Sequence, residues 1–219
     1  MKLTHRIWEL LFPTKCILCR EILSREELDL CHTCRRKAPQ WNGQRDKLRF
    51  IQEYTAVWYY ESDVRQSLIR YKFRNARHYC ESYGRMVAMR VNQDLPEQID
   101  LVTWIPISRR RKWKRGYDQC ELLAQAVGRE LEIPVQRLLV KKRDNKPQSS
   151  LKSAGERRAN VLGVYEICNG DWVEGRNILL LDDIITTGAT ASEGARVLQG
   201  AGARNVYCAA VAAGRNQKQ

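Results

Sequence analysis

The string LLLDDIITTGATA, residues 179–191, constrains this chain more than any other stretch. Ile178 to Leu181 is an apolar run of strand length, and Asp182 and Asp183 follow at its end. Ile184 and Ile185 lead into Thr186, Thr187, Gly188, Ala189 and Thr190, after which a helical pattern begins. Open α/β sheets place ligands beyond the carboxyl ends of their strands. Adjacent carboxylates there can accept hydrogen bonds from the vicinal hydroxyls of a ribose. The turn supplies hydroxyls, backbone N–H groups and a helix N-terminus, which together favour a phosphate. The combination predicts a ribose 5-phosphate site. A bare Asp-Asp pair would instead favour a capped turn with two solvated acids. A Walker A loop fits poorly, because no Lys follows a Gly in this turn.

The string resembles the phosphoribosyl pyrophosphate (PRPP) motif of type I phosphoribosyltransferases. That resemblance implies that Asp182 and Asp183 bind the ribose hydroxyls as the catalytic carboxylates. It implies that Thr186, Thr187, Gly188, Ala189 and Thr190 hold the 5-phosphate. In purine-using members the position matching Thr186 is often an Asp that moves a proton on the base. A threonine cannot do this, so the acceptor is already nucleophilic or another residue assists.

At 219 residues and 43% hydrophobic content, the chain holds one ordinary domain with a real core plus a small addition. No run of 18 or more apolar residues suggests a membrane span. The apolar patch Ile7–Phe12 is short, is interrupted by Glu9 and has no small-residue cleavage site, so a signal peptide is rejected. Trp8, Leu11 and Phe12 are expected to pack on the rest of the protein, and the expected location is cytoplasmic.

The net charge of +13 is concentrated: residues 109–158 carry 15 basic and 6 acidic side chains. Arg109, Arg110, Arg111, Lys112, Lys114 and Arg115 are interrupted only by Trp113. Such a run is either a solvated basic face or an anion site for diphosphate, nucleic acid or both.

Near the start, Cys16 and Cys19 form one CxxC and Cys31 and Cys34 another, with eleven residues between them. Two such knuckles can place four thiolates around one structural Zn²⁺ at about 2.3 Å. A disulfide reading needs an oxidising compartment, and a redox CxxC needs a βαβ setting. Cys120 and Cys208 fall on apolar patterns and read as small core residues.

The remaining pattern alternates strands and helices, which implies a mainly parallel sheet. Strands are expected at Tyr54–Tyr60, Asp100–Ile107, Val135–Val140, Ile178–Leu181 and Val206–Val211. Helices are expected around Val64–Tyr71, Tyr79–Val91, Cys120–Leu131 and Thr190–Gln199. Arg35–Arg49 reads as a polar linker. The expected division is a zinc-binding module and linker over residues 1–49 and a phosphoribosyltransferase-like α/β domain over residues 50–219.

Further segments carry meaning together: Tyr71-Lys72-Phe73, Trp104-Ile105-Pro106-Ile107-Ser108, and Arg115-Gly116-Tyr117-Asp118-Gln119. Arg143, Gln148, Leu151, Arg157 and Asn160 follow. With the CxxC pairs and the PRPP-like string, these resemble the ComF family over nearly the full length. Asp118 stands where Asn is usual, and Asn145 where Thr is common. The resemblance implies a phosphoribosyltransferase fold, a zinc-binding N-terminus and a role in natural transformation or DNA uptake. By the same analogy, Pro106, Ile107, Ser108 and Arg109 hold the PRPP diphosphate, Arg115 closes over it, and Mg²⁺ bridges its oxygens. The implied partners are PRPP or a related sugar phosphate, single-stranded DNA, and a DNA-uptake helicase or other transformation proteins. Single-stranded DNA would meet Arg109, Arg110, Arg111, Lys112, Trp113 and Lys114, where an aromatic ring lies between cations. The alternative is an active phosphoribosyltransferase with a small-molecule acceptor and no DNA role.

Overall fold

Alternation along each strand sends neighbouring side chains to opposite sides, and here both sides are apolar, as a parallel sheet requires. The computed structural model describes residues 13–43, 47–95, 98–143 and 154–215. Its strands are β1 (Tyr54–Tyr59), β2 (Leu101–Trp104), β3 (Leu139–Lys141), β4 (Tyr165–Ile167), β5 (Asn177–Ile185) and β6 (Asn205–Ala213). Its α-helices are α1 (His32–Lys37), α2 (Ser62–Phe73), α3 (Tyr79–Asp94), α4 (Arg109–Arg115), α5 (Gln119–Leu131), α6 (Ala154–Val161) and α7 (Ala189–Gly200). The main sheet has the order β1-β6-β5-β2 with every pair parallel, and β3 and β4 form a separate antiparallel pair.

Leu179 and Leu181 of β5 join Val102, Trp104 and Tyr207 in a core shared with α2, α3 and α5. Ile178 and Leu180 join Leu101, Val206 and Cys208 in a second core under α7 and the β3–β4 pair. Helices α3 and α5 on the first face lie very close together. A Cβ added to Gly84 of α3 would stand 2.5 Å from Ala126 Cβ of α5.

The carboxylate pair lies within β5 rather than just beyond it. β2 pairs with β5 only as far as Trp104↔Leu181, while β6 follows β5 through Asp182↔Ala210 to Ile185↔Ala213. Pro106 has no N–H to continue the ladder, so β2 is shorter than the expected Asp100–Ile107. The β2 chain leaves the sheet where Asp182 begins, and that step opens a crevice above both carboxylates.

Other boundaries also moved. The expected strand Val135–Val140 forms only at Leu139–Lys141, while Val135 makes an isolated parallel bridge to Val102. The final helix runs from Ala189 to Gly200 rather than from Thr190 to Gln199. Helices α1, α4 and α6 and strand β4 were not among the expected elements. Arg35–Arg49 is not simply a linker: Arg35–Lys37 complete α1, and Gln40 bridges antiparallel to Trp58. Trp41 drives this docking, since its ring is buried against Tyr54 at a centroid distance of 5.6 Å. Trp8, Leu11, Phe12, Asn145, Gln148 and Leu151 lie outside the described residues. Among the described residues, no helix is long and apolar enough to cross a membrane.

Candidate functional site

A cleft of about 890 Å³ opens over the carboxyl ends of β2 and β5. It is lined by Asp182, Asp183, Thr186 and Thr190 from the β5–α7 segment and by Pro106 and Ile107 from the β2 exit. One face of α4 adds Arg111, Lys114 and Arg115, and the opposite wall adds Lys141, Arg157 and Tyr165. Seven cationic side chains line the cleft against two carboxylates, a balance of charge that favours an anion.

Asp183 is 4% exposed and both its oxygens are engaged. Lys72 Nζ lies 2.7 Å from Oδ1, and Gln119 Nε2 donates to Oδ2 at 2.7 Å. Burial works against the Lys72 charge, but Asp183 and then Asp182 outweigh it and hold the ammonium above its ordinary range. Asp182 Oδ1 accepts the Asp183 N–H at 2.8 Å and faces the Cys120 thiol at 3.8 Å. Burial, followed by the charge of Asp183, pushes the Asp182 carboxyl up to about 7.

That value gives stability a pH dependence. An acid whose folded value exceeds its unfolded one binds its proton more tightly when folded. The gain is complete below the ordinary value of 3.8 and is lost as pH rises through about 7. The thermal unfolding midpoint of the parent, relative to that of Asp182→Asn, is therefore expected to fall between about pH 4 and about pH 7. An unchanged slope in that variant would assign the titration elsewhere.

The turn after β5 is built for close approach. Gly188 has φ 69° and ψ 3° and caps α7 without a side-chain bond. The left-handed backbone favours glycine here, and a Cβ would also require the Leu48 side chain, 2.2 Å away at Cδ2, to shift. Thr186 and Thr190 line the cleft; Thr187 is half-buried, and Ala189 is buried at the start of α7.

The exit from β2 is fixed by Asp118. Its side chain accepts from Ile107 N–H at 3.0 Å and from the N–H groups of Cys120 and Glu121 at the start of α5. Burial raises the Asp118 carboxyl above its usual range, against these three donors. Ser108 is buried as the N-cap of α4, accepting from Arg111 N–H at 3.3 Å. It does not reach the cleft, and neither does Arg109.

The basic run therefore divides between two faces of one helix. Arg111, Lys114 and Arg115 face the cleft, whereas Arg109 and Arg110 are exposed away from it. Lys112 pairs with Glu121 at 2.6 Å, and the Trp113 ring is 88% exposed. Arg115 donates to Gln119, and its guanidinium lies 5.0 Å from the Phe73 ring centroid.

Lys72, Gln119, Cys120, Lys141, Arg157 and Tyr165 were not assigned to the site from sequence. Lys72 and Gln119 stood inside quoted motifs, yet nothing local indicated that both converge on Asp183. Cys120 is buried as expected, but against Asp182 as well as the core.

A second site lies at the four cysteines. The Sγ atoms of Cys16, Cys19, Cys31 and Cys34 all lie within 4.8 Å of one another, and Cys19 Sγ is 3.6 Å from Cys31 Sγ. The Cys34 N–H points at Cys31 Sγ at 3.4 Å, a donor suited to a thiolate. Burial and then the neighbouring Cys19, Cys31 and Cys16 drive the Cys34 thiol far above its ordinary value. Four crowded thiols cannot all ionise without a cation, and Zn²⁺ with tetrahedral sulfur ligation fits them.

Comparison with known proteins matches a phosphoribosyl transferase domain at residues 118–219 and a double zinc ribbon domain at residues 7–45. Competence protein ComFC of Bacillus subtilis (strain 168) is 29% identical over 208 residues, covering 87% of this chain and 82% of that protein. DNA utilization protein YhgH of Escherichia coli (strain K12) is 26% identical over 187 residues, covering 81% and 76%. The glutamine PRPP amidotransferase from B. subtilis, solved with ADP and GMP, superposes with a TM-score of 0.44 at 21% identity. It covers 64% of this chain and 30% of that one. A parallel sheet bearing a carboxylate pair and a Thr-Gly-Ala-Thr turn at one strand end defines a phosphoribosyltransferase-type domain. With a four-cysteine zinc-ribbon module ahead of it, the chain is similar over most of its length to the ComFC and competence F proteins, in line with the resemblance its motifs carry.

Proposed function

We propose that the cleft binds PRPP or a related sugar phosphate, and that the protein serves DNA uptake by also binding single-stranded DNA. The observation that carries the first half is convergence: one cleft unites two buried carboxylates, a threonine turn and three cations of α4. Asp182 and Asp183 receive the ribose hydroxyls and are the catalytic carboxylates of any transfer. Thr186, Thr187, Gly188, Ala189 and Thr190 cradle the 5-phosphate. Pro106 and Ile107 border the diphosphate, with Arg111, Lys114 and Arg115 supplying charge. Ser108 acts by capping the start of α4. Mg²⁺ would arrive with the diphosphate and keep several waters, because Lys72 and Gln119 already occupy the Asp183 oxygens.

Removing one charge-assisted hydrogen bond costs roughly 1.5–3 kcal/mol, or about tenfold to a hundredfold in affinity. Calorimetric titration with PRPP and Mg²⁺ is expected to show that loss in Asp183→Asn, and a similar loss in Thr187→Ala. Equal affinity in both variants and the parent would end the assignment.

The DNA half rests on the outward face of α4, where Arg109, Arg110 and exposed Trp113 lie side by side at helical spacing. The names of the competence and DNA-utilization relatives favour this role. Binding of single-stranded DNA is expected to weaken with salt at a log–log slope of about −0.7 per neutralised phosphate. Charge removal at Arg109 and Arg110 should flatten the slope while leaving PRPP affinity intact, and Trp113→Ala should cost about 1–3 kcal/mol. No DNA binding in about 50 mM salt leaves the reading of a phosphoribosyltransferase without a DNA role.

A further inference from the structure

We infer that the zinc module sets the carboxylate pair through helix α2, so that metal occupancy and sugar-phosphate binding are thermodynamically linked. The ligand half of this inference rests on the function proposed above; the structural half does not.

The link begins inside the first knuckle. Ile17 and Leu18 are the two residues between Cys16 and Cys19, and both are buried. The Ile17 carbonyl accepts from Ser67 Oγ and, at 2.9 Å, from Arg70 Nη2; Arg70 also donates to the Leu18 carbonyl. Ser67 and Arg70 belong to α2. A metal on Cys16 and Cys19 fixes these two carbonyls, and a knuckle without it has no covalent reason to hold them in place.

From there two routes reach the same carboxylate. Lys72 lies two residues beyond Arg70 on α2 and contacts Asp183 Oδ1 at 2.7 Å. Because Ser67 gives its proton to Ile17, it accepts from Tyr83 OH at 2.6 Å. The Tyr83 ring packs edge-on against Tyr71 at 5.3 Å. Tyr71 OH donates to the Gln119 carbonyl at 2.6 Å, and the Gln119 side chain donates to Asp183 Oδ2. Both side-chain donors to Asp183 thus trace back to the Ile17 carbonyl.

The module also grips α3, since Asp29, ahead of the second knuckle, accepts from Ser82 at 2.6 Å and from Arg85 Nε at 3.1 Å. That second grip holds the module on the domain when the α2 contact alone is cut. Ser67 and Arg70 are therefore positioning residues: they touch neither the metal nor the cleft.

The test reads Lys72 directly. Full-length, zinc-loaded protein is treated with an amine-acylating reagent, and modification of Lys72 is quantified by mass spectrometry before and after zinc is removed with a chelator. The same measurement is made on zinc-loaded Arg70→Ala and Arg70→Lys. Zinc removal and Arg70→Ala are each expected to raise Lys72 modification about tenfold, within the usual range of coupling between sites. Arg70→Ala should keep its zinc, and Arg70→Lys, which retains a cation but not the forked donor, should fall between. If zinc removal unfolds the whole protein, the Arg70→Ala arm decides. Saturating PRPP should tighten zinc binding in the parent, measured at equilibrium against a competing chelator, and much less in Arg70→Ala, as linkage requires. Unchanged Lys72 modification in zinc-loaded, folded Arg70→Ala overturns the inference. A parent that fails to bind PRPP, but whose Lys72 responds to Arg70→Ala, retains the structural coupling and loses the sugar-phosphate reading.

Discussion

Cys31→Ser is expected to strip the metal and unfold the segment Thr14–Lys37. This segment buries few side chains, chiefly Ile17, Leu18 and Leu30 beside the cysteines. So small an apolar core does not offset the entropy of ordering the chain. Structural zinc supplies about 10–16 kcal/mol of apparent binding energy in small modules, and that energy is folding energy. Cys31 is doubly placed, as a ligand and as the N-cap residue of α1 whose sulfur faces Cys34 N–H. Elemental analysis should find one zinc per chain in the parent and none in the variant. Hydrogen exchange over the segment should become fast. Cys120→Ser is the control, because its thiol belongs to the cleft and the domain core. Zinc-free parent protein with its four cysteines in disulfides would defeat the prediction.

The second large effect concerns the ion pair under the cleft. Asp183→Ala leaves Lys72 and Gln119 pointing at no acceptor. Removing one partner of a buried pair costs about 3–5 kcal/mol, mostly the desolvation of the charge left behind. Lys72 retains modest access to solvent, with 18% of its side chain exposed, which places the expected loss at the lower end of that range. Lys72→Met in the Asp183→Ala background should recover part of the loss. Urea unfolding of the parent, both single variants and the double variant closes the cycle. A coupling near zero would show that the pair adds nothing to stability.

Much of this architecture is legible locally. The Asp182–Thr190 string carries its strand, acids, turn and helix within one short window, so periodicity and residue chemistry suffice. The four cysteines are equally readable, because metal spacing is itself a sequence pattern. Lys72 is different. Its role depends on α2 meeting a strand far along the chain, at Asp183, and no periodicity encodes that meeting. Trp41 stands in an otherwise polar stretch, and its burial against Tyr54 is a tertiary contact that local pattern does not encode. The division of Arg109–Arg115 required the helix phase, which begins where Ser108 caps α4 and where Pro106 ends the ladder. β4 was missed because three residues give too short a pattern to separate from a loop.

The strand order has a kinetic consequence. β6 is made after every other strand yet lies between β1 and β5. Until it inserts, β1 has no neighbour in the main sheet, and the apolar strands β1 and β5 expose unpaired edges. Pairing of β1 with β6 closes a loop of well over one hundred residues, so the sheet is of high contact order and completes late. The zinc ribbon is built from short-range contacts and can form early, whereas the cleft waits for the last strand. Refolding should therefore show metal capture well before ligand competence. The interval between them is when this chain is most exposed to aggregation through its strand edges.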